Sequence, residues 1–161
     1  MAATYEEWAR VHGTLPPRCM AVLRAWFPRE VLDAVRVLVQ PRWLSAWTRC
    51  MGMPAVTVYG MTLVCVPGVL DADGRVRGRL WSWTQPRGVA LWAHEIKHVE
   101  QWRVDPKAFA AAAASGIIKS LLRGKIYDHS VIAYEQDAIA FERTVLSALL
   151  AQEHVLPGDM P

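Results

Sequence analysis

The sequence predicts an α+β fold: a mostly helical domain with a small β-sheet. Three observations predict it. Apolar residues recur at helical spacing in three stretches, near 29–39, 88–104 and 131–152. One uncharged, β-branched stretch, AVTVYGMTLVCV at 55–66, reads as extended chain. The 161 residues show no repeat and no long linker, and they suffice for one domain with a real core. We therefore read 1–161 as a single domain, with its core at about 18–152 and peripheral termini.

Taken in order, Thr4–Val11 predicts a short helix capped by Thr4, and Pro16–Pro17 breaks it. A second helix is expected at Arg18–Trp26. Pro28 opens a third, REVLDAVRVLV at 29–39, because Val31, Leu32, Val35 and Leu38 share a face. Pro41 ends it. The extended stretch follows, then the tight-turn signal DADG at 71–74 and a basic, Trp-bearing segment at 75–87. A long helix is expected from Gly88 to Val104. Asp105–Pro106 stops it, since a residue before proline is pushed out of helical geometry. Leu91, His94, His98 and Trp102 lie near one face of that helix, and Trp92, Ile96, Val99 and Arg103 near another, so both sides should be buried. The alanine-rich helix FAAAAASGIIKSLLRG comes next, with a bend expected at Gly116. A last helix covers Val131–Gln152.

Composition narrows the classes. Apolar residues make up 53% and charged residues 20%, which excludes a disordered chain. A net charge of +3 is too small to argue for nucleic acid. The three cysteines form no CxxC pair, so a reducing compartment fits best. The start, MAATYEEWARVHG, lacks the pattern of a secretory leader, and the expected location is cytoplasmic. The uncharged run Cys50–Leu70 is long enough to cross a bilayer. Pro54, Gly60, Pro67 and Gly68 interrupt it, and buried strands are the better reading. Some of the eight tryptophans are expected at a groove or contact surface, against the plainer reading of core packing.

The chemistry concentrates in AHEIKHVEQW at 93–102. His94 and His98 lie one helical turn apart, so both imidazoles can reach one metal ion. Apolar flanks imply partial burial, and buried imidazoles cost free energy unless something binds them. A third ligand must come from elsewhere. His12, His129 and His154 are the remaining histidines, but a carboxylate in AYEQDAIAFER is the better candidate. Glu135 stands near the start of the last helix, and Glu142 follows two turns later on the same face. Asp137 points about 160° away from Glu135. Two histidines, one carboxylate and an open position suit zinc.

HEIKHVEQW followed by YEQDA resembles the HExxHxxQ…YExxA pattern of gluzincin-type zinc metallopeptidases. It looks closest to a family of small bacterial metallopeptidase-like domains catalogued as a domain of unknown function. The likeness spans about Trp26 to Arg143 and includes FPREVLDAVRV and AVTVYGMTLVCVPG. It implies a zincin-like domain whose small sheet edges the active-site cleft. It also implies His94, His98 and Glu135 as ligands of Zn2+, with Glu95 as the catalytic residue. Many relatives carry an acid four positions after the ligand glutamate. Here that position is Ile139, which leaves Gln101, Glu142 or Asp137 to steady the ligands.

The implied activity is a metallopeptidase that hydrolyses peptide bonds through a metal-bound water, with Glu95 as general base. A peptide or protein is the implied substrate, paired along the strand near Val56–Thr62. Tyr134, Tyr127 and His129 are candidates for the oxyanion or substrate contacts. The alternative is a metal-stapled structural or interaction module with an assembly partner. Relatives occur beside phage-like and injection systems, so a virion component or injected effector belongs to that alternative. Arg75, Arg77, Arg79, Trp81, Trp83 and Arg87 are a candidate for anionic surfaces, against the plainer reading of a hairpin covering the core.

Overall fold

The computed structural model describes residues 13–15, 17–39, 56–58, 63–66, 75–76, 79–80, 86–124 and 132–153. The chain is mostly helical. Helices α1 (Pro17–Leu23) and α2 (Arg29–Ala34) lead into strand β1 (Arg36–Val39). Strands β2 (Val56–Val58), β3 (Leu63–Val66), β4 (Arg75–Val76) and β5 (Arg79–Leu80) are short. Three longer helices complete the described chain: α3 (Pro86–Val104), α4 (Pro106–Leu122) and α5 (Ala133–Glu153). The expected N-terminal helix at Thr4–Val11, the DADG turn, Tyr127 and His129 fall outside the described residues.

The expected helix at 29–39 is corrected by the structure. It stops at Ala34, and Val35 turns extended at φ −65°, ψ 130°. The reason is in the residues. From Val35 on, valines alternate with Arg36 and Leu38, and β-branched side chains lose less freedom in a strand than in a helix. Pairing decides the matter: β1 runs parallel to β3, with Arg36 opposite Leu63 and Val39 opposite Val66. β2 runs antiparallel to β3 on its other side, so the order is β1-β3-β2.

Helix α3 is the centre of the fold. Pro86 opens it, where a missing N–H costs nothing. Val89, Trp92, Ala93, Ile96 and Val99 form one buried face. Leu23 from α1, Phe27 from the turn after it, Val31 and Leu32 from α2, and Val145 from α5 join that core. The other face buries Glu95, His98 and Gln101. Of the two faces the spacing predicts, Trp92, Ile96, Val99 and His98 are buried, Leu91, His94 and Trp102 are half-buried, and Arg103 is exposed at the end of the helix. Trp92 is a core residue, while Trp26 and Trp102 are half-buried.

Asp105 makes the corner between α3 and α4. It stands before Pro106 with extended backbone (φ −150°), which ends α3. Its Oδ1 then accepts the Ala108 N–H at 2.9 Å and caps α4. Helix α4 runs on through Gly116 without a break. The glycine serves close approach: a Cβ there would overlap the Ile132 side chain just before α5. That fit brings the start of α5, and with it Glu135, back toward α3.

Candidate metal centre

Two helices build the site. α3 supplies His94, Glu95, His98 and Gln101, and α5 supplies Glu135, Asp137 and Glu142. α5 lies along α3 in the most extensive helix contact of the described chain. His94 and His98 sit one turn apart, with ring centroids 4.9 Å apart and planes nearly perpendicular. The Glu135 carboxylate comes between them. Its Oε2 is 3.6 Å from His94 Nε2 and its Oε1 is 3.5 Å from His98 Nε2.

These distances suit an ion. Two ligand atoms about 2.0–2.1 Å from one tetrahedral zinc lie about 3.3 Å apart. One ligand atom each from His94, His98 and Glu135 fall within 4.8 Å of one another. The group could therefore hold a metal ion after small adjustments. His98 and Glu135 are buried, and His94 keeps some exposure.

His98 is aimed by a hydrogen-bonded chain. Gln101 Nε2 donates to Asp137 Oδ2 at 2.7 Å and to the Tyr134 carbonyl at 3.2 Å. A carboxylate and a carbonyl only accept, so the amide cannot be turned the other way. Gln101 Oε1 is thereby left facing His98 Nδ1 at 2.9 Å. That ring nitrogen must carry the proton, and in neutral His98 the Nε2 lone pair faces Glu135. Phe109 of α4 packs its ring edge-on to His98 and stacks on Tyr134 at 4.8 Å.

His94 is held differently. Its Nδ1 lies 3.1 Å from Glu142 Oε2, an ion-pair distance. The angle is not that of a hydrogen bond, so the contact is electrostatic. Burial opposes charge on this imidazole. The contacts with Glu135 and Glu142, and the nearby charges of Glu95 and Glu135, outweigh burial and raise its pKa from 6.5 to about 10. The pocket is thus built to hold a positive charge at its centre, either a proton or a metal ion.

Glu95 is buried beside this group. Thr57 on β2 donates its hydroxyl hydrogen toward Glu95, with Oγ1 2.7 Å from Oε2 and 3.2 Å from the Glu95 carbonyl oxygen. The strand thus holds the carboxylate of the motif helix.

The structure brings together His94, His98, Glu135, Glu95, Gln101 and Glu142. It seats the Tyr134 ring on Phe109 and uses the Tyr134 carbonyl. Thr57 and Phe109 escaped the sequence reading. Neither carries a local signal, since each reaches the site only through tertiary packing. No known protein family, no curated protein and no solved structure matches the chain.

Two outcomes follow from this geometry. A metal ion held by His94 would have to displace its proton at neutral pH, so affinity should rise about tenfold per pH unit from near neutrality toward about 10. Stability of the metal-free protein has the opposite sign. The folded pKa lies above the unfolded one, so His94 stabilises fully below pH 6.5, and the contribution fades as pH climbs to about 10. Chelator-competition titrations and urea unfolding across that range read both; His94→Gln should flatten the stability profile and remove most of the metal affinity. Asp137→Ala frees the Gln101 amide to turn and should weaken metal binding about tenfold, the low end for such partners, because the Tyr134 carbonyl remains. Unchanged affinity would contradict the aiming role.

Proposed function

We propose that this protein is a zinc-dependent metallopeptidase of the gluzincin type. One observation carries the reading: a helical His94–His98 pair converges with Glu135 from another helix, and Glu95 stands beside them, held by Thr57. A purely structural site needs the first three residues and has no use for the fourth. When bound, the ion supplies Lewis acidity that lowers the pKa of a water toward neutrality. Glu95 would then be the residue that takes a proton from the attacking water and hands it to the leaving amine. Gln101 and Asp137 keep His98 turned toward the site, and Glu142 offsets charge on His94.

The substrate in this reading is an extended peptide. β2 is the outer strand of the order β1-β3-β2, and its Thr57 touches Glu95. A peptide pairing along β2 would lay its carbonyls beside the same carboxylate. The zincin-like sheet edging the cleft belongs to this proposal, and the Thr57–Glu95 contact is its support. Tyr134, Tyr127 and His129 stay candidates for the oxyanion contact.

The test is cleavage of a peptide library by zinc-loaded protein. Wild type should cut, a chelator should stop it, and Glu95→Gln should slow it about 10²- to 10⁴-fold while keeping its metal. No cleavage anywhere in the library, or equal rates with Glu95→Gln, would favour the metal-stapled interaction module.

A further inference from the structure

Helix α4 is built inside out. Its inward positions are Phe109 and three small residues, Ala113, Gly116 and Ser120. Its large aliphatic side chains face solvent. Ile117 is 43% exposed, Ile118 59%, Leu121 59% and Leu122 83%. With Ala110 and Ala114, also exposed, they fill an unbroken apolar arc about 140° wide and about 18 Å long. Isolated exposed aliphatics are common, but a stripe at helical spacing is an amphipathic helix turned outward.

The charges around the stripe say what covers it. Lys107 stands at one end, and Lys119 and Arg123 at the other, all exposed. From Asp105 to Asp128 the chain carries four cations and two carboxylates, which stand at its two ends. A second copy of the chain is a poor occupant. Parallel pairing sets cation on cation directly, and antiparallel pairing sets Lys107 against Arg123. One helix-wide stripe is also well short of the roughly 800 Å² per partner that stable pairs bury. No helix among the described residues is long and apolar enough to cross a membrane, so the stripe is suited to lie on a surface. An apolar arc with cations at its ends, in excess of the one capping carboxylate Asp105, matches the two signals that hold a helix at an anionic bilayer.

We propose that the outward face of α4 docks on the surface of a bilayer carrying anionic lipids, with Ile117, Ile118, Leu121 and Leu122 among the acyl chains and Lys107 and Lys119 among the headgroups. This goes beyond the metal site and does not depend on it. The start of α5 packs against Gly116 on the inner side of α4, so docking would bring the metal-site helices close to the membrane surface.

Vesicle flotation of the full chain tests this. One vesicle is phosphatidylcholine alone, and the other contains about one-third phosphatidylglycerol, a charge density at which surface cations count. The protein should float with the anionic vesicles, and added salt should weaken it. Lys107→Gln and Lys119→Gln should each cost about fivefold in binding. Ile118→Gln with Leu122→Gln should cost at least about tenfold, with unchanged circular dichroism because both positions are exposed. Failure to float with anionic vesicles at low salt overturns the proposal. So does equal binding by the Ile118→Gln/Leu122→Gln variant or by neutral vesicles. A concentration-dependent dimer abolished by that variant would also overturn it and make a second copy the occupant.

Discussion

The site depends on one carboxylate crossing from α5 to two imidazoles on α3. Glu135 reaches both His94 and His98 only because α5 lies along α3, and α3 can accept it only because its opposite face is fixed in the core by Trp92, Ile96 and Val99. Burying a carboxylate beside imidazoles is costly unless the charges compensate. Here they alternate. Glu142, His94, Glu135, His98, Gln101 and Asp137 form a connected row in which each polar group meets a complementary one. The row ties α3 to α5 and leaves a net demand for positive charge at its centre. A proton on His94 or a divalent ion meets that demand, and the two compete.

The two histidines are held by different means. His98 has its tautomer set by a directional chain ending at Asp137. His94 has no such chain and is surrounded by negative charge. One imidazole is therefore aimed and the other is held by surrounding charge. Thr57 adds the only strand contribution to the polar row among the described residues, and it engages Glu95.

Much of this was legible in the sequence because it is helical. The four-residue spacing of His94 and His98, the seven-residue spacing of Glu135 and Glu142, and the Asp105–Pro106 corner each fix geometry locally. What the sequence hid is non-local. Val35–Val39 satisfies helical spacing as well as strand alternation, and pairing with β3 decides it. Asp137 points away from Glu135 along the helix, yet it reaches His98 because Gln101 spans the gap. Gly116 reads as a bend in sequence. In the fold it is the place where the Ile132 side chain comes too close for a Cβ, so that the chain just before α5 packs against α4 there. The outward aliphatic face of α4 was likewise hidden, because periodicity shows a stripe without showing which way it faces.

The central claim is that His94, His98 and Glu135 form one metal site with Glu95 outside the ligand set. Elemental analysis of untagged protein tests it most directly, comparing wild type with Glu135→Ala and Glu95→Gln after zinc is supplied and excess removed. The account predicts about one zinc per chain in wild type and in Glu95→Gln, and loss of it in Glu135→Ala. Wild-type protein that keeps no metal after zinc is supplied, or Glu135→Ala protein that keeps it fully, would contradict the account.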